Sequence, residues 1–242
     1  MRGPGAGFGA ADPVAPLKTL WCPSPNQGPR RDGLRPSLVV LHYTAMQSAE
    51  AALDRLCDPV AEVSAHYLIG SDGRLWQMVA ESQRAWHAGA GEWFEKDDIN
   101  SRSIGIELDN SGGHPFSEPQ MAVLEVLLGQ IMDRWSISPE GVIGHSDMAP
   151  GRKSDPGLRF DWARLACLGL ARAVPPASGS SLLDPEIPLD VLFRRYAYDL
   201  GYSAPVDEAT LLSALRLRYR PWAQGPLVAE DLAPLAQSDF WG

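Results

Sequence analysis

Nothing in this 242-residue sequence approaches the roughly 18 consecutive apolar residues that a membrane span requires. The opening stretch also lacks the apolar core of an export signal, because Asp12, Pro13, Pro16 and Lys18 interrupt every candidate run. Basic charge is scarce. Against 30 Asp and Glu there are 21 Lys and Arg, a net charge of -9, which argues against a protein that works by neutralising a nucleic-acid backbone. Cysteine is scarce as well: Cys22, Cys57 and Cys167 are an odd count with no paired spacing of the kind that marks a zinc knuckle or a redox motif, and a reducing compartment fits them. Cys22 follows a bulky Trp21 with no apolar lead-in, so it reads as a plain thiol rather than a lipid-bearing one. Cys57 and Cys167 read as filler in apolar, helix-like settings. With no Gly-x-Ser-x-Gly elbow, a serine or cysteine nucleophile has no support.

What is present is an ordinary globular composition, 45% hydrophobic, in a chain long enough for one main domain and a small appendage. Residues 1–35, rich in Gly, Pro and Arg and without periodicity, are expected to be an irregular arm. Ser37 to Thr44 is a nearly continuous apolar and β-branched run, as in a strand covered on both faces. A helix is expected over 48–57. Two β-rich runs, 65–70 and 74–79, flank an Asp-Gly turn and predict a hairpin. In the strand 103–109, Ile104, Ile106 and Leu108 alternate with Gly105, Glu107 and Asp109, so Glu107 faces away from its apolar neighbours. Ser117 with Gln120 suggests a capping box ahead of Met121, Leu124, Leu128, Ile131 and Trp135 at helical spacing. Val142 to His145 is a short apolar segment, and 161–174 predicts a closing helix. Strands alternating with helices make residues 36–173 an α/β domain. The Pro/Ser/Gly-rich stretch 174–188 reads as a linker, followed at 189–242 by a small all-α module with helices at 189–200, 207–218 and 227–236.

The densest polar stretch runs from Gly144 to Gly157 and holds His145, Asp147, Arg152, Lys153 and Asp155 in a Pro/Gly-punctuated loop. Alone it could be a solvated surface loop, and His42 alone could be a satisfied strand-end histidine. Together, His42, His145 and Asp155 form a two-histidine, one-carboxylate set of the kind that leaves a catalytic zinc an open position for water. Such an ion lowers the pKa of its water to about 7. Hydrolysis of an amide also needs a proton acceptor and a positive group near the developing oxyanion. Glu107 and Lys153 suit those roles; an ion pair and a solvated lysine are the plainer alternatives.

The segments Leu41-His42-Tyr43-Thr44, Val63 to Ile69, Ala85 to Gly89, Ser103 to Asn110 and Gly144 to Gly157 occur in an order that resembles the type 2 N-acetylmuramoyl-L-alanine amidases. The resemblance covers residues 23 to about 172. It implies a central mixed β-sheet flanked by helices, shared with peptidoglycan recognition proteins, and cleavage of the amide between a muramoyl lactyl group, of the ordinary or 1,6-anhydro sugar, and L-alanine of the stem peptide. By motif, the zinc ligands are His42, His145 and Asp155, the base is Glu107, and the oxyanion-stabilising group is Lys153. His66, Trp86, His87 and Asn100 would line the substrate groove. The alternative from another class is a recognition protein that binds peptidoglycan fragments without cutting them. The final module resembles a three-helix peptidoglycan-binding domain, although Leu215-Arg216 stands where a Phe-Gln pair is typical. The expected partners are muropeptides, not nucleic acid. The expected location is cytoplasmic, with the periplasm as the alternative that the binding-like module favours.

Overall fold

A computed structural model of the chain describes residues 17–173 and 186–235, so most of the expected linker lies outside the described residues. In chain order the elements are β1 (Thr19–Trp21), β2 (Gln27–Pro29), β3 (Leu38–Tyr43), α1 (Ala49–Cys57), β4 (Tyr67–Ile69), β5 (Leu75–Gln77), β6 (Gln83–Ala85), α2 (Ile99–Arg102), β7 (Ser103–Leu108), α3 (Glu118–Trp135), β8 (Val142–Gly144), α4 (His145–Met148), α5 (Trp162–Cys167), α6 (Leu189–Asp199) and α7 (Glu208–Tyr219). Six strands form one mixed sheet in the order β1-β5-β4-β7-β3-β8, and β2 pairs with β6 in a two-stranded ribbon.

The core follows from the apolar pattern. Val39, Val40 and Leu41 on β3 are fully buried, as are Ile104, Ile106 and Leu108 on β7. Met121, Leu124, Leu128 and Ile131 of α3 cover the sheet on the Ile104 side. Ser48 caps α1 by accepting from the Ala51 amide. The capping box expected at Ser117 does not form. Its hydroxyl donates to the Ser71 carbonyl, and the Gln120 amide donates to Ile69 (2.8 Å) and Asp109 (3.2 Å), so both side chains tie α3 to the ends of β4 and β7 and the turn beyond β4.

The arm is not irregular where it is described. β1 adds in parallel to the sheet edge at β5, and β2 pairs antiparallel with β6. Each strand has three residues, too few to leave a periodic signal. Arg30 then anchors the arm: its guanidinium donates to the carbonyls of Glu81, Asn100, Ser101 and Ser103 at 2.8–3.3 Å. Cys22 and Cys57 also meet here, with their sulfurs 3.9 Å apart, a proximity that no sequence spacing signals. Cys167 is exposed rather than core filler, because α5 ends at that residue instead of continuing to 174.

Beneath the arm, Glu81 accepts from Arg134 Nε (2.8 Å) and Nη2 (2.9 Å), Trp135 Nε1 (2.6 Å) and the Tyr67 hydroxyl (2.8 Å). Burial acts to raise its pKa, but these donors prevail and hold it below the ordinary 4.5. A carboxyl that is more acidic folded than unfolded contributes its full stability above about pH 4.5 and loses it as the pH falls below that value. Glu81→Gln is therefore expected to cost about 2–3 kcal/mol at pH 7. The gap from the parent should narrow toward acid, as urea unfolding at the two pH values would show.

The C-terminal segment does not form three helices among the described residues. The stretch expected to be helical from 227 contains only a 3-10 turn, Ala229–Asp231. Arg216 and Arg220 grip the buried Asp231 at 2.6–3.0 Å and fix that turn. Leu192, Phe193, Leu211, Leu212 and Leu215 share a single apolar cluster with Val40, Trp93, Ile143 and Met148. Leu215 and Arg216, the positions that depart from the glycan-binding pattern, are thus occupied by packing and ion pairing.

Candidate metal centre and active-site cleft

β7, β3 and β8 lie side by side and parallel, and the carboxyl ends of parallel strands are where α/β sheets place their sites. His42 is the second-last residue of β3 and pairs in register with Glu107 on β7. His145 is the first residue after β8. Asp155 returns to them from the following loop, its carbonyl held by the Ser146 amide at 2.9 Å.

The three side chains converge. His42 Nδ1 lies 2.9 Å from His145 Nδ1 and 2.8 Å from Asp155 Oδ2, and the His145–Asp155 edge is 3.1 Å. Ligands about 2.0–2.1 Å from a tetrahedral zinc stand about 3.3 Å apart, so the triangle is close to the size such an ion requires. The outer nitrogens decide the tautomers. His145 Nε2 donates to the Ala88 carbonyl at 2.8 Å, which leaves the Nδ1 lone pair facing the cluster. His42 Nε2 is 3.0 Å from His87 Nδ1, His87 Nε2 is 3.1 Å from the Ser103 hydroxyl, and that hydroxyl donates to the Ile99 carbonyl at 2.6 Å. A proton on each donor of this chain again leaves the Nδ1 lone pair of His42 toward Asp155. Burial, reinforced by the charge of His145, pushes the His42 pKa down to about 4, so its imidazole is neutral and can act as a ligand. Burial acts to raise the Asp155 pKa, but its contacts with His145 and His42 hold it well below the carboxylate range. Among the described residues, these three form a group that could hold a metal ion.

A cavity of about 410 Å³ opens over the cluster, with Glu107, Lys153, Trp86 and His87 among its walls. Glu107 Oε2 is buried and has no hydrogen-bond partner among the described residues. Burial, then the charge of Asp155, pushes the Glu107 pKa up to about 8, with Lys153 opposing. Lys153 sits exposed at the rim.

Of the four residues expected to line the groove, Trp86 and His87 reach it. His87 also stands behind His42, as its contacts show. Gly105 makes room for it, since a Cβ there would come within 2.4 Å of the His87 ring. His66 and Asn100 do not reach the cavity. His66 is fully buried, accepting from the Gly105 amide at 3.0 Å and donating to the Gln83 carbonyl at 3.1 Å, and burial drives its pKa down to about 3. Asn100 turns inward because its side-chain oxygen accepts from the amides of His87 (3.0 Å) and Ala88 (2.8 Å). Asn100 thus sets the backbone that presents His87 and the Ala88 carbonyl, and His66 ties β7 to β6 beside it. Arg152, which no sequence argument singled out, donates to Ala88 (2.6 Å) and Ala90 and braces the carbonyl that orients His145. Its only sequence signal is its place inside the polar loop.

A buried two-histidine, one-carboxylate cluster under an open cleft, with an unpartnered carboxylate in the wall, defines a metal-capable hydrolytic site on an α/β sheet. The chain belongs to the N-acetylmuramoyl-L-alanine amidase family, Amidase_2, whose profile matches residues 32–158. Over 213 residues it is 35% identical to N-acetylmuramoyl-L-alanine amidase AmiD of Escherichia coli strain K12, spanning 77% of this chain and 76% of that one. It is 34% identical over 163 residues to the 1,6-anhydro-N-acetylmuramyl-L-alanine amidase AmpD of the same strain, spanning 60% of this chain and 89% of AmpD. The crystal structure of AmpDh3 from Pseudomonas aeruginosa superposes with a TM-score of 0.76 at 29% identity, over 94% of this chain and 96% of that one. E. coli AmiD, in complex with its substrate anhydro-N-acetylmuramic acid-L-Ala-D-gamma-Glu-L-Lys, gives a TM-score of 0.72 at 32% identity, covering 84% and 89%. The family match holds five of the six strands of the main sheet, the clustered His42, His145 and Asp155, and Glu107, and the mixed sheet flanked by helices is the fold of these amidases.

Proposed function

We propose that this chain hydrolyses the amide between the lactyl group of an N-acetylmuramoyl or 1,6-anhydro-N-acetylmuramoyl residue and L-alanine of the stem peptide, with zinc held by His42, His145 and Asp155. The observation that carries the reading is the buried, unpartnered Glu107 Oε2 in the wall of the cavity above that cluster. Zinc, when bound, supplies a Lewis acid that activates water at neutral pH. Glu107 accepts the proton of the attacking water and returns it to the departing alanine nitrogen. A carboxyl kept near neutrality by its surroundings can do both. The Lys153 ammonium at the rim faces the negative charge that develops on the lactyl carbonyl oxygen. Trp86 gives the cavity a flat apolar wall beside the metal cluster, against which the muramyl peptide can lie.

The substrate complexed with AmiD supports the 1,6-anhydro form as a test compound. With zinc-loaded protein, mass spectrometry should show anhydro-N-acetylmuramic acid and the free tripeptide. A chelator should stop the release and zinc should restore it. Binding without release by the zinc-loaded protein would contradict the reading and favour recognition alone. Parallel digestion of intact sacculi separates a wall-directed enzyme from one acting on soluble recycled fragments, and with it the periplasmic from the cytoplasmic setting. Among the described residues no helix is long and apolar enough to cross a membrane.

A further inference from the structure

His145 sits in the single turn of α4, too short to hold its own orientation, and the residue that fixes this turn is Asp147. Asp147 is 1% exposed. Its Oδ2 accepts from the Gly144 amide at 2.8 Å, which closes the turn around His145. The remaining partners of the carboxylate come from the C-terminal segment. Arg218 Nη1 on α7 donates to Oδ2 at 2.7 Å, and the Tyr202 hydroxyl, beyond α6, donates to Oδ1 at 2.5 Å. Arg218 Nη2 also reaches the Val142 carbonyl at 3.2 Å, so a single guanidinium holds the backbone before His145 and the Asp147 carboxylate after it. That guanidinium is itself held, 4.0 Å over the ring of Trp162, and its side chain is 4% exposed. Tyr202 is fixed edge-on against Trp93 at 4.9 Å.

We propose that Arg218 and Tyr202 are positioning residues for the metal centre: through Asp147 they hold the turn that presents His145, so the C-terminal helices complete the active site. Neither residue lines the cavity over the metal cluster, and neither touches a ligand side chain. Their effect passes through the backbone of residues 142–147. A buried carboxylate that loses its cation is left uncompensated, and the turn must move to find water. Outer partners that orient metal ligands are typically worth about 10–100-fold in metal affinity or activity.

The proposal rests on His145 being a ligand, and the test separates the two. Full-length Arg218→Met, Arg218→Lys and Tyr202→Phe variants are loaded with cobalt in place of zinc and compared at a temperature where each is folded. Tyr202→Phe, which removes one hydroxyl and opens no large cavity, should bind metal about tenfold more weakly in chelator competition, with displaced cobalt visible bands. Arg218→Met should lose up to about 100-fold, with Arg218→Lys recovering part of it. The KM for the anhydromuramyl tripeptide should stay at the parent's value while kcat falls. Parental cobalt bands and metal affinity in Tyr202→Phe and Arg218→Lys, alongside a lowered melting temperature, would reduce the contact to packing and overturn the proposal. If Arg218→Met does not fold, those two variants decide it. A His145→Ala protein that keeps its metal would instead remove the reading of the site itself.

Discussion

Glu107→Gln is expected to keep its zinc and to lose turnover by about 10²- to 10⁴-fold, the range a positioned general base contributes. The amide has nearly the carboxylate's shape, so the cavity stays intact, but it cannot take a proton from water. The parent Oε2 satisfies no structural bond among the described residues. Replacing it with the neutral amide therefore should not unfold the protein, and the melting temperature should stay close to the parent's. Metal analysis, thermal melts and single-turnover release of the stem peptide distinguish these effects. A variant with stoichiometric zinc and parental turnover would show that the proton is handled elsewhere.

His145→Ala should act on the metal itself. It removes one corner of a triangle whose edges are 2.8–3.1 Å and leaves two protein ligands, one fewer than a catalytic zinc site uses. Where zinc binding to a complete protein site is worth about 10–16 kcal/mol, losing one ligand should weaken it by on the order of 10³-fold or more. Activity should fall to background and should not return with added zinc at micromolar levels. The contrast between the two variants is the informative result: one loses the ion, and the other keeps the ion and loses the chemistry.

The parts of this site that could be read from the sequence are those where chemistry and strand pattern agree. His42 ends an apolar run, Glu107 stands on the polar side of an alternating strand, and His145 and Asp155 share one dense polar loop. His66 carried the same signal as His42, a histidine in a β-rich run. Only the packing shows that its ring nitrogens are taken by the backbone of Gly105 and Gln83. Asn100 departs from its expected place for a similar reason, since a side-chain amide that ties down a loop looks in sequence like one that greets a substrate. The strands of the arm are three residues each, and the helix expected from 227 is replaced by contacts to Asp231 from Arg216 and Arg220. Long-range partners of this kind leave no local periodicity. The clamp on Asp147 was invisible for the same reason, because Arg218 lies 71 residues away.

His42 is separated from His145 by 103 residues and from Asp155 by 113. No local segment of the unfolded chain can therefore offer the ion more than a fraction of its ligands, and the triangle exists only once β3 and β8 are paired across most of the sequence. Zinc in such a protein cannot serve as a nucleus for folding in the way it does in small fingers. An ion bound by these three residues would arrive at a finished sheet and act as a late fastener between the two ends of the domain, tightening the native state with the logarithm of its free concentration.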